Sequence, residues 1–258
     1  MPSLIPLFDL TPGLSSGSSP HILQLYQDLE LFSEGDPPAN SLFVLGRSLG
    51  YAADQAGLWR DQLLVIDPPT DLAARFRLAG DVAILFTHAR PDADAVAAGH
   101  ARVQTMAGGR AHIRLGEHYL DIYAQAAGCV VHLPALGIML GGVYGSEVVP
   151  PRLAVGSSGE EELETLRLIA RLLKSHHFQL YLPQVGALCK DKLTVMQRLA
   201  ADVAYLHALR RVIPALAQAG AAWEVVEEAG ATLLPASMRT AAAQSIHRAN
   251  LAALFGAV

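Results

Sequence analysis

Short apolar runs separated by turn residues dominate the first two thirds of the chain. Residues 41–45 (SLFVL), 63–66 (LLVI) and 81–87 (DVAILFT) are too short for core helices and are typical of buried strands. The same kind of pattern predicts further strands at residues 111–115, 118–123, 129–133, 138–140 and 178–182. We therefore expect a sheet-forming first part whose strands are joined by helices and turns.

The last third has a helical pattern. Residues 160–175 are acidic at the start and basic at the end, as the helix dipole favours. Ala-rich helices are predicted after this segment, and Pro214 and Pro235 are expected to separate them. The predicted C-terminal helices cover residues 192–211, 215–229 and 237–255, and shorter helices are predicted at residues 20–32, 70–79 and 92–106.

The order of these elements, strands with helices first and helices afterwards, is typical of a layered α/β domain with a helical tail. We expect residues 1–190 to form one domain with an irregular N-terminal segment. Residues 191–258 are expected to form a helical extension packed on the same domain. A homodimer through these C-terminal helices is also expected, because their alanines allow close approach.

Composition narrows the function classes. The net charge is −5, and charged residues make up 17% of the chain without a basic cluster, which argues against a nucleic-acid partner. Cys129 and Cys189 are far apart in sequence, so we expect free thiols and a cytoplasmic protein. Residues 126–144 are apolar enough to suggest a membrane span, but they contain His132, Pro134 and four glycines and are predicted to be a hairpin instead.

One motif follows the strand at residues 81–87. There the chain reads T-H-A-R-P-D-A, with polar residues at alternate positions before a predicted helix. It resembles the metallo-β-lactamase superfamily, in which this strand ends in H-x-H-x-D-H. His88 and Asp92 match the first His and the Asp of that motif, whereas Arg90 and Ala93 stand where its other two histidines belong.

Four more segments resemble the family's motifs in the correct order. The segment L-L-V-I-D-P, which contains Asp67, resembles L-I-D-x-G, and Y-A-Q-A-A-G puts Gln125 at the place of a third His. The hairpin G-C-V-V-H-L-P-A-L-G-I-M-L-G-G puts Gly142 at the place of the bridging Asp. The segment Y-L-P-Q-V-G puts Val185 at the place of the last His.

The resemblance implies a four-layer αββα sandwich and the scaffold of a two-metal hydrolase. Of the seven expected metal ligands only His88 and Asp92 remain, and in the family these two serve different metals. Guanidinium cannot ligate a cation, and Gly, Ala and Val offer no donor atoms. We therefore expect neither a metal nor another cofactor. The candidate ligand pocket consists of Asp67, His88, Arg90, Asp92, Gln125, Gly142 and Val185.

The function expected from this pattern is that of a non-catalytic pseudo-enzyme, which binds a small anionic molecule or a protein partner at the former active-site mouth. The alternative is a hydrolase of altered, metal-independent mechanism with His88 and Asp92 as its catalytic candidates. In either case Asp92 would lack the counter-charge of a metal, and we expect the planar fork of Arg90 to pair with it.

A rival interpretation starts from G-R-S-L-G at residues 46–50, which resembles the nucleophile elbow of α/β-hydrolases. Ser48, Asp92 and His118 would then form a triad in the chain order of that fold. The elbow normally follows several strands and helices, however, and only 45 residues precede Gly46. A turn between strands is the interpretation that we favour for Ser48.

Overall fold

The computed structural model describes residues 20–46, 62–76, 81–103, 108–154 and 156–256. These residues form an α/β fold with two sheets and six helices. The strands are β1 (His21–Tyr26), β2 (Leu29–Glu34), β3 (Ala39–Gly46), β4 (Gln62–Ile66), β5 (Asp81–Leu85), β6 (Ala101–Arg102), β7 (Arg110–Leu115), β8 (His118–Gln125), β9 (Gly128–Leu133), β10 (Ile138–Gly142) and β11 (Leu180–Pro183). The helices are α1 (Leu72–Arg75), α2 (Ala93–Val96), α3 (Glu160–Ser175), α4 (Lys192–Gln218), α5 (Trp223–Ala231) and α6 (Ala241–Phe255).

The first of two compact units is built on a six-stranded sheet, and it comprises the described residues within 1–86, 90–104 and 114–118. Its strands lie in chain order, antiparallel from β1 to β4 and parallel from β4 to β6. Ile66 and Leu85 are register partners in the parallel pair β4–β5, so Asp67 and Phe86 leave the sheet at the same edge. The segment with Asp67 and the segment that leads to His88 therefore begin side by side at this edge.

The prediction of a helix at residues 20–32 is wrong, because this segment forms the hairpin β1–β2. The turn contains Asp28, whose φ of 60° is in the left-handed region that Asp tolerates better than most residues. Leu29, Leu31 and Phe32 of β2 are buried, and β3 pairs along the whole strand. Pairing with neighbouring strands thus determined the secondary structure of a segment whose local pattern is also compatible with a helix.

Two of the short predicted helices are much shorter in the structure. Among its described residues, the segment predicted at 70–79 contains α1 alone, with Asp71 at the N-cap position. The segment predicted at 92–106 contains α2, after which Gly99 adopts a φ of 80° and the chain continues into β6. Because β6 pairs with β5, sheet formation outweighs the local helical pattern here.

The second unit comprises residues 87–89, 105–113 and 119–258 and is built on a sheet of order β11-β10-β9-β8-β7. Strands β8, β9 and β10 are antiparallel neighbours, and β11 adds in parallel to β10. One large apolar cluster joins this sheet to the helices, with Val130, Met139, Leu166, Leu206 and Leu251 among its buried members. The helix predicted at 160–175 is confirmed with the same bounds.

The prediction that Pro214 separates two helices is wrong, because α4 continues through it to Gln218. A proline inside a helix removes one backbone hydrogen bond and strains the preceding turn. Here Leu206, Leu209 and Ile213 are fully buried in the apolar cluster and hold the helix in place. The chain turns instead near Gly220, whose φ of 73° suits glycine.

A buried polar network ties the C-terminal helices to the rest of the second unit. The Tyr205 hydroxyl lies 2.8 Å from Nδ1 of His247, and Nε2 of His247 lies 3.0 Å from the carbonyl oxygen of Gly230. A carbonyl can only accept, so Nε2 donates and Nδ1 accepts the hydroxyl proton. Asn250 donates to the carbonyl oxygen of Pro151 and accepts from the backbone of Leu153.

Among the residues that the structure describes, no helix is long and apolar enough to cross a membrane. Residues 126–144 contain the whole hairpin β9–β10, as the sequence predicts.

Candidate functional site

In the second unit, the segment Thr87–His88 lies against the β8–β9 turn. The carbonyl oxygen of Thr87 accepts a 2.7 Å hydrogen bond from the backbone of Cys129. A Cβ at Gly128, where φ is 146°, would lie only 2.2 Å from that oxygen. The glycine therefore allows the close backbone approach that fixes this segment, and both Thr87 and His88 are buried.

Gly142, which the sequence resemblance equates with a bridging Asp, faces the side chain of Thr87. Its φ is 61°, and a Cβ added there would lie 2.8 Å from Oγ1 and 3.1 Å from Cβ of Thr87. A carboxylate side chain at position 142 would thus need both a strained backbone and space that Thr87 already fills. Thr87 is the first residue of the motif T-H-A-R-P-D-A, but nothing in that pattern predicts that its side chain fills the space beside Gly142.

The loop that follows Gly142 is anchored on buried groups of the second unit. The Tyr181 hydroxyl donates to the carbonyl oxygen of Tyr144, and the backbone N–H of Gly145 donates to Oδ2 of Asp202 at 2.7 Å. Asp202 is fully buried in α4, and this burial raises the pKa of its carboxyl to about 8. The neutral acid is the form that suits such a site, because an unpaired buried carboxylate is poorly solvated.

Gln125 and Val185 are the other candidate residues of the second unit, and their side chains have structural contacts instead of metal-ligand neighbours. Nε2 of Gln125 donates to the carbonyl oxygen of Ala124 at 2.9 Å. The side chain of Val185 packs in an apolar cluster with Val149, Met238 and Ala243. Val185, which the sequence resemblance equates with the last His, is therefore part of the packing between the loops and α6.

In the first unit, Arg90 and Asp92 form the predicted pair, which is confirmed. Nε of Arg90 lies 2.9 Å from Oδ1 of Asp92, and Nη2 lies 2.6 Å from Oδ2. Nη1 donates to the carbonyl oxygen of Pro68 at 2.6 Å, and the guanidinium lies 5.4 Å from the ring centroid of Phe86. The Arg90 side chain is 11% exposed, so it is committed to these neighbours rather than presented to a ligand.

Asp67 and Ala93 complete the first unit's candidates. Asp67 is buried with a φ of 50°, and its backbone N–H donates to Leu85 while its carbonyl oxygen accepts from the Ser41 hydroxyl. Ala93, at the position of another family His, is 4% exposed and packs in the unit's apolar cluster. An imidazole at position 93 would overfill this core.

These residues do not fit the two-metal centre of the family. A metal of this kind needs about three protein ligands with converging donor atoms. Across the described ranges, from residue 20 to residue 256 with their gaps, no group of three or more His, Cys, Asp or Glu side chains is arranged to hold a metal ion. The position of the bridging carboxylate faces Thr87, and those of two histidines belong to apolar cores.

The rival triad is only partly within the described residues, since Ser48 lies outside them. Nε2 of His118 lies 2.8 Å from the carbonyl oxygen of Gln27, and the Asp92 carboxylate is held by Arg90. The triad therefore stays a hypothesis. His118 and Asp92 have Gln27 and Arg90 as hydrogen-bond partners instead of each other.

A small cleft opens beside Val185 in the second unit. The loop after β10, the loop after β11 and α6 line it, and Arg152, Gln184 and Ile246 are among its residues. Arg152 and Ile246 belong to none of the quoted motifs, and the motif Y-L-P-Q-V-G contains Gln184 but assigned it no role. The only local signal is that Arg152 follows Pro150-Pro151 in a loop.

Comparison with solved structures shows two neighbours with the same fold. A β-lactamase domain protein from Burkholderia ambifaria superposes with a TM-score of 0.57 at 12% identity, covering 96% of this chain and 91% of that one. A stereoselective inverting sec-alkylsulfatase from a Pseudomonas species gives 0.53 at 12% identity, covering 92% of this chain. The chain spans 50% of the length of that sulfatase. No family model and no curated protein sequence matches the chain.

Proposed function

The chain has the metallo-β-lactamase fold, and we propose that it is a pseudo-enzyme of that fold. In this proposal the chain has lost the two-metal centre and binds a small molecule or a protein partner near the former active-site mouth. Its activity would be recognition rather than hydrolysis.

The contact between Thr87 and Gly142 carries this proposal. A bridging carboxylate is the one ligand that both metals of the family share, and here its place would collide with Oγ1 of a buried threonine. Loss of a ligand by a single exchange leaves an empty place, whereas this place is filled by a neighbouring side chain. Packing of this kind supports a scaffold adapted to the absence of the metals.

The hydrogen bonds that Asp92 accepts from Arg90 give a second line of support. A metal-ligating or catalytic carboxylate needs an oxygen directed at the metal or the substrate, and both oxygens of Asp92 accept hydrogen bonds from Arg90. The guanidinium supplies the positive charge that a metal would otherwise supply. This pairing makes Asp92 a poor general base, which weighs against the metal-independent hydrolase.

Metal content tests the proposal. The purified protein is incubated with Zn²⁺, desalted and examined by elemental analysis beside the variant His88→Ala/Asp92→Ala. We expect both proteins to retain far less than one zinc per chain, because too few ligands converge. One or two zinc ions per chain in the parent protein, lost in the variant, would overturn the proposal.

Activity measurements separate the alternatives. A panel of fluorogenic esters, lactams and sulfate esters is expected to show no turnover above buffer. Turnover that disappears in His88→Ala but persists in Arg211→Gln, an exposed control, would favour the hydrolase of altered mechanism. Labelling by a fluorophosphonate that Ser48→Ala abolishes would favour the serine hydrolase.

Two further expectations belong to this proposal. Cys129 and Cys189 are both buried thiols that form no disulfide, which supports a reducing compartment such as the cytoplasm. The homodimer through the C-terminal helices also stays a prediction, and sedimentation at micromolar concentration tests it. A clean monomer would contradict it.

A further inference from the structure

The cleft beside Val185 combines apolar walls with one cation at its rim. Val143, Val149, Val185 and Ile246 supply apolar surface from three different segments of the second unit. Arg152 and Gln184 add polar groups to its lining. Its lining is confined to eight described residues, so it suits a molecule of a few carbon atoms rather than a polymer.

The charge of Arg152 is not compensated within the part of the chain that the structure describes. Other arginines of the second unit have acidic partners, such as Arg198 with Glu147 and Arg210 with Glu160. Arg152 is exposed and makes no ion pair or side-chain hydrogen bond with a described residue. A guanidinium beside an apolar cleft favours an anion that has an apolar body.

The loop that carries Gln184 and Val185 is held in place by Glu147. Oε1 of Glu147 accepts a 2.6 Å hydrogen bond from the backbone of Ala187, and Oε2 pairs with Arg198 at 2.8 Å. The backbone N–H of Gln184 donates to the carbonyl oxygen of Gly142 at 2.7 Å. Because the acid of this region is already neutralised, it does not oppose an anion at Arg152, and the wall of the cleft is preorganised.

We propose that this cleft is a binding site for a small monocarboxylate with a short branched apolar tail, whose carboxylate pairs with Arg152 and whose tail lies against Val185 and Ile246. The inference rests on the proposed ligand-binding function and names its ligand class. It also moves the anion anchor from Arg90, which is committed to Asp92, to Arg152. The Gln184 amide, which makes no side-chain hydrogen bond to a described residue, can donate to the second carboxylate oxygen.

Calorimetric titration with 4-methylpentanoate tests the site. The parent protein is expected to bind it with a dissociation constant on the order of 1 mM, as befits so few atoms. The neutral isostere 4-methylpentanamide and inorganic phosphate serve as matched probes, since one lacks the charge and the other lacks the apolar body. Each is expected to bind at least about tenfold more weakly, because each makes only half of the contacts.

The variants are Arg152→Gln and, as a matched control, Arg211→Gln, which removes an equally exposed arginine outside the cleft. Arg152→Gln is expected to bind 4-methylpentanoate about tenfold more weakly, whereas Arg211→Gln binds it as the parent does. Unchanged thermal midpoints show that both variants are folded.

Several results would overturn the inference: no binding of 4-methylpentanoate, equal binding of acid and amide, equal binding of phosphate, or an Arg152→Gln variant that binds as the parent does. A metal-free protein that ignores the carboxylate would reject this site and leave the pseudo-enzyme proposal standing. Stoichiometric zinc held through His88 and Asp92 would instead reject the pseudo-enzyme, whatever the cleft binds.

Discussion

The guanidinium of Arg90 holds the carboxylate of Asp92 through two hydrogen bonds, 2.9 Å from Nε to Oδ1 and 2.6 Å from Nη2 to Oδ2. The two residues are two positions apart, on the segment where the family's metal ligands would lie. The Arg90 side chain is 11% exposed and that of Asp92 is 36% exposed. The exposure of this ion pair is thus intermediate between that of a surface pair and that of a buried pair.

This pairing predicts coupled effects on stability. Arg90→Leu is expected to lower the free energy of unfolding by about 1–2 kcal/mol, because it leaves Asp92 without its counter-charge and the Pro68 carbonyl oxygen without its donor. The double variant Arg90→Leu/Asp92→Leu should lose less than the sum of the single losses, with a coupling of about 1 kcal/mol. Urea unfolding of all four proteins measures this, and Arg211→Leu controls for removal of an exposed arginine. Additive losses would refute the coupling.

The contact between Thr87 and Gly142 predicts a steric penalty. Gly142→Ala is expected to destabilise the protein by about 2–4 kcal/mol, since the added methyl meets Thr87 and the backbone has a positive φ. Gly220→Ala is the matched control: its φ is 73° and nothing lies within 4 Å of the added Cβ. Gly220→Ala should lose only about 1 kcal/mol of unfolding free energy, which is the cost of a positive φ without a steric clash. Equal losses at the two positions would mean that Thr87 does not obstruct a side chain at position 142.

Asp202 predicts a stability that depends on pH. Its folded-state pKa is raised to about 8 by burial, whereas the unfolded chain ionises near the ordinary value of 3.8. Between these values the folded state retains a proton that the unfolded state has lost, so its stability falls as the pH rises, by up to about 1.4 kcal/mol per pH unit. Asp202→Asn mimics the neutral acid and should gain relative to the parent between pH 5 and pH 8.

Urea unfolding at several pH values checks this expectation, and the exposed Asp94→Asn serves as the control. A constant difference between the parent and Asp202→Asn across the range would show that the carboxyl does not titrate as the structure implies.

His247 predicts a dependence of the opposite sign. Burial lowers its pKa, partly offset by the hydrogen bond to Gly230, so the folded state favours the neutral ring. As the pH falls below about 6.5, the unfolded chain takes up a proton that the folded chain resists, and stability is lost. His247→Gln should be less stable at pH 7.5 by about 1–3 kcal/mol, because it breaks the bonds to Tyr205 and Gly230.

The same variant should then lose less stability than the parent on going from pH 7.5 to pH 5.5. His132, whose pKa burial also lowers, keeps its own contribution in both proteins. His207→Gln, on the exposed side of α4, is the control. A parallel loss in His247→Gln and in the parent would contradict the proposed neutral, buried ring.

The sequence by itself determined most of the strands and helix α3. Apolar runs such as residues 63–66 lack polar positions that could face water, so they must be buried in a sheet. The acidic start and basic end of α3 set both of its bounds. The order of the degenerate motifs was enough to indicate the fold, and the short separation of Arg90 and Asp92 was enough to predict their pair.

Only the tertiary structure decided which residues meet across long separations. Thr87 and Gly142 are 55 positions apart, and their contact depends on where the end of β10 lies relative to the segment after β5. The cleft at Arg152 likewise needs two loops and α6 in one place. The hairpin β1–β2 and the unbroken α4 through Pro214 followed from pairing and burial that outweigh local preference. Local periodicity records which face of an element is buried, but not which partner buries it.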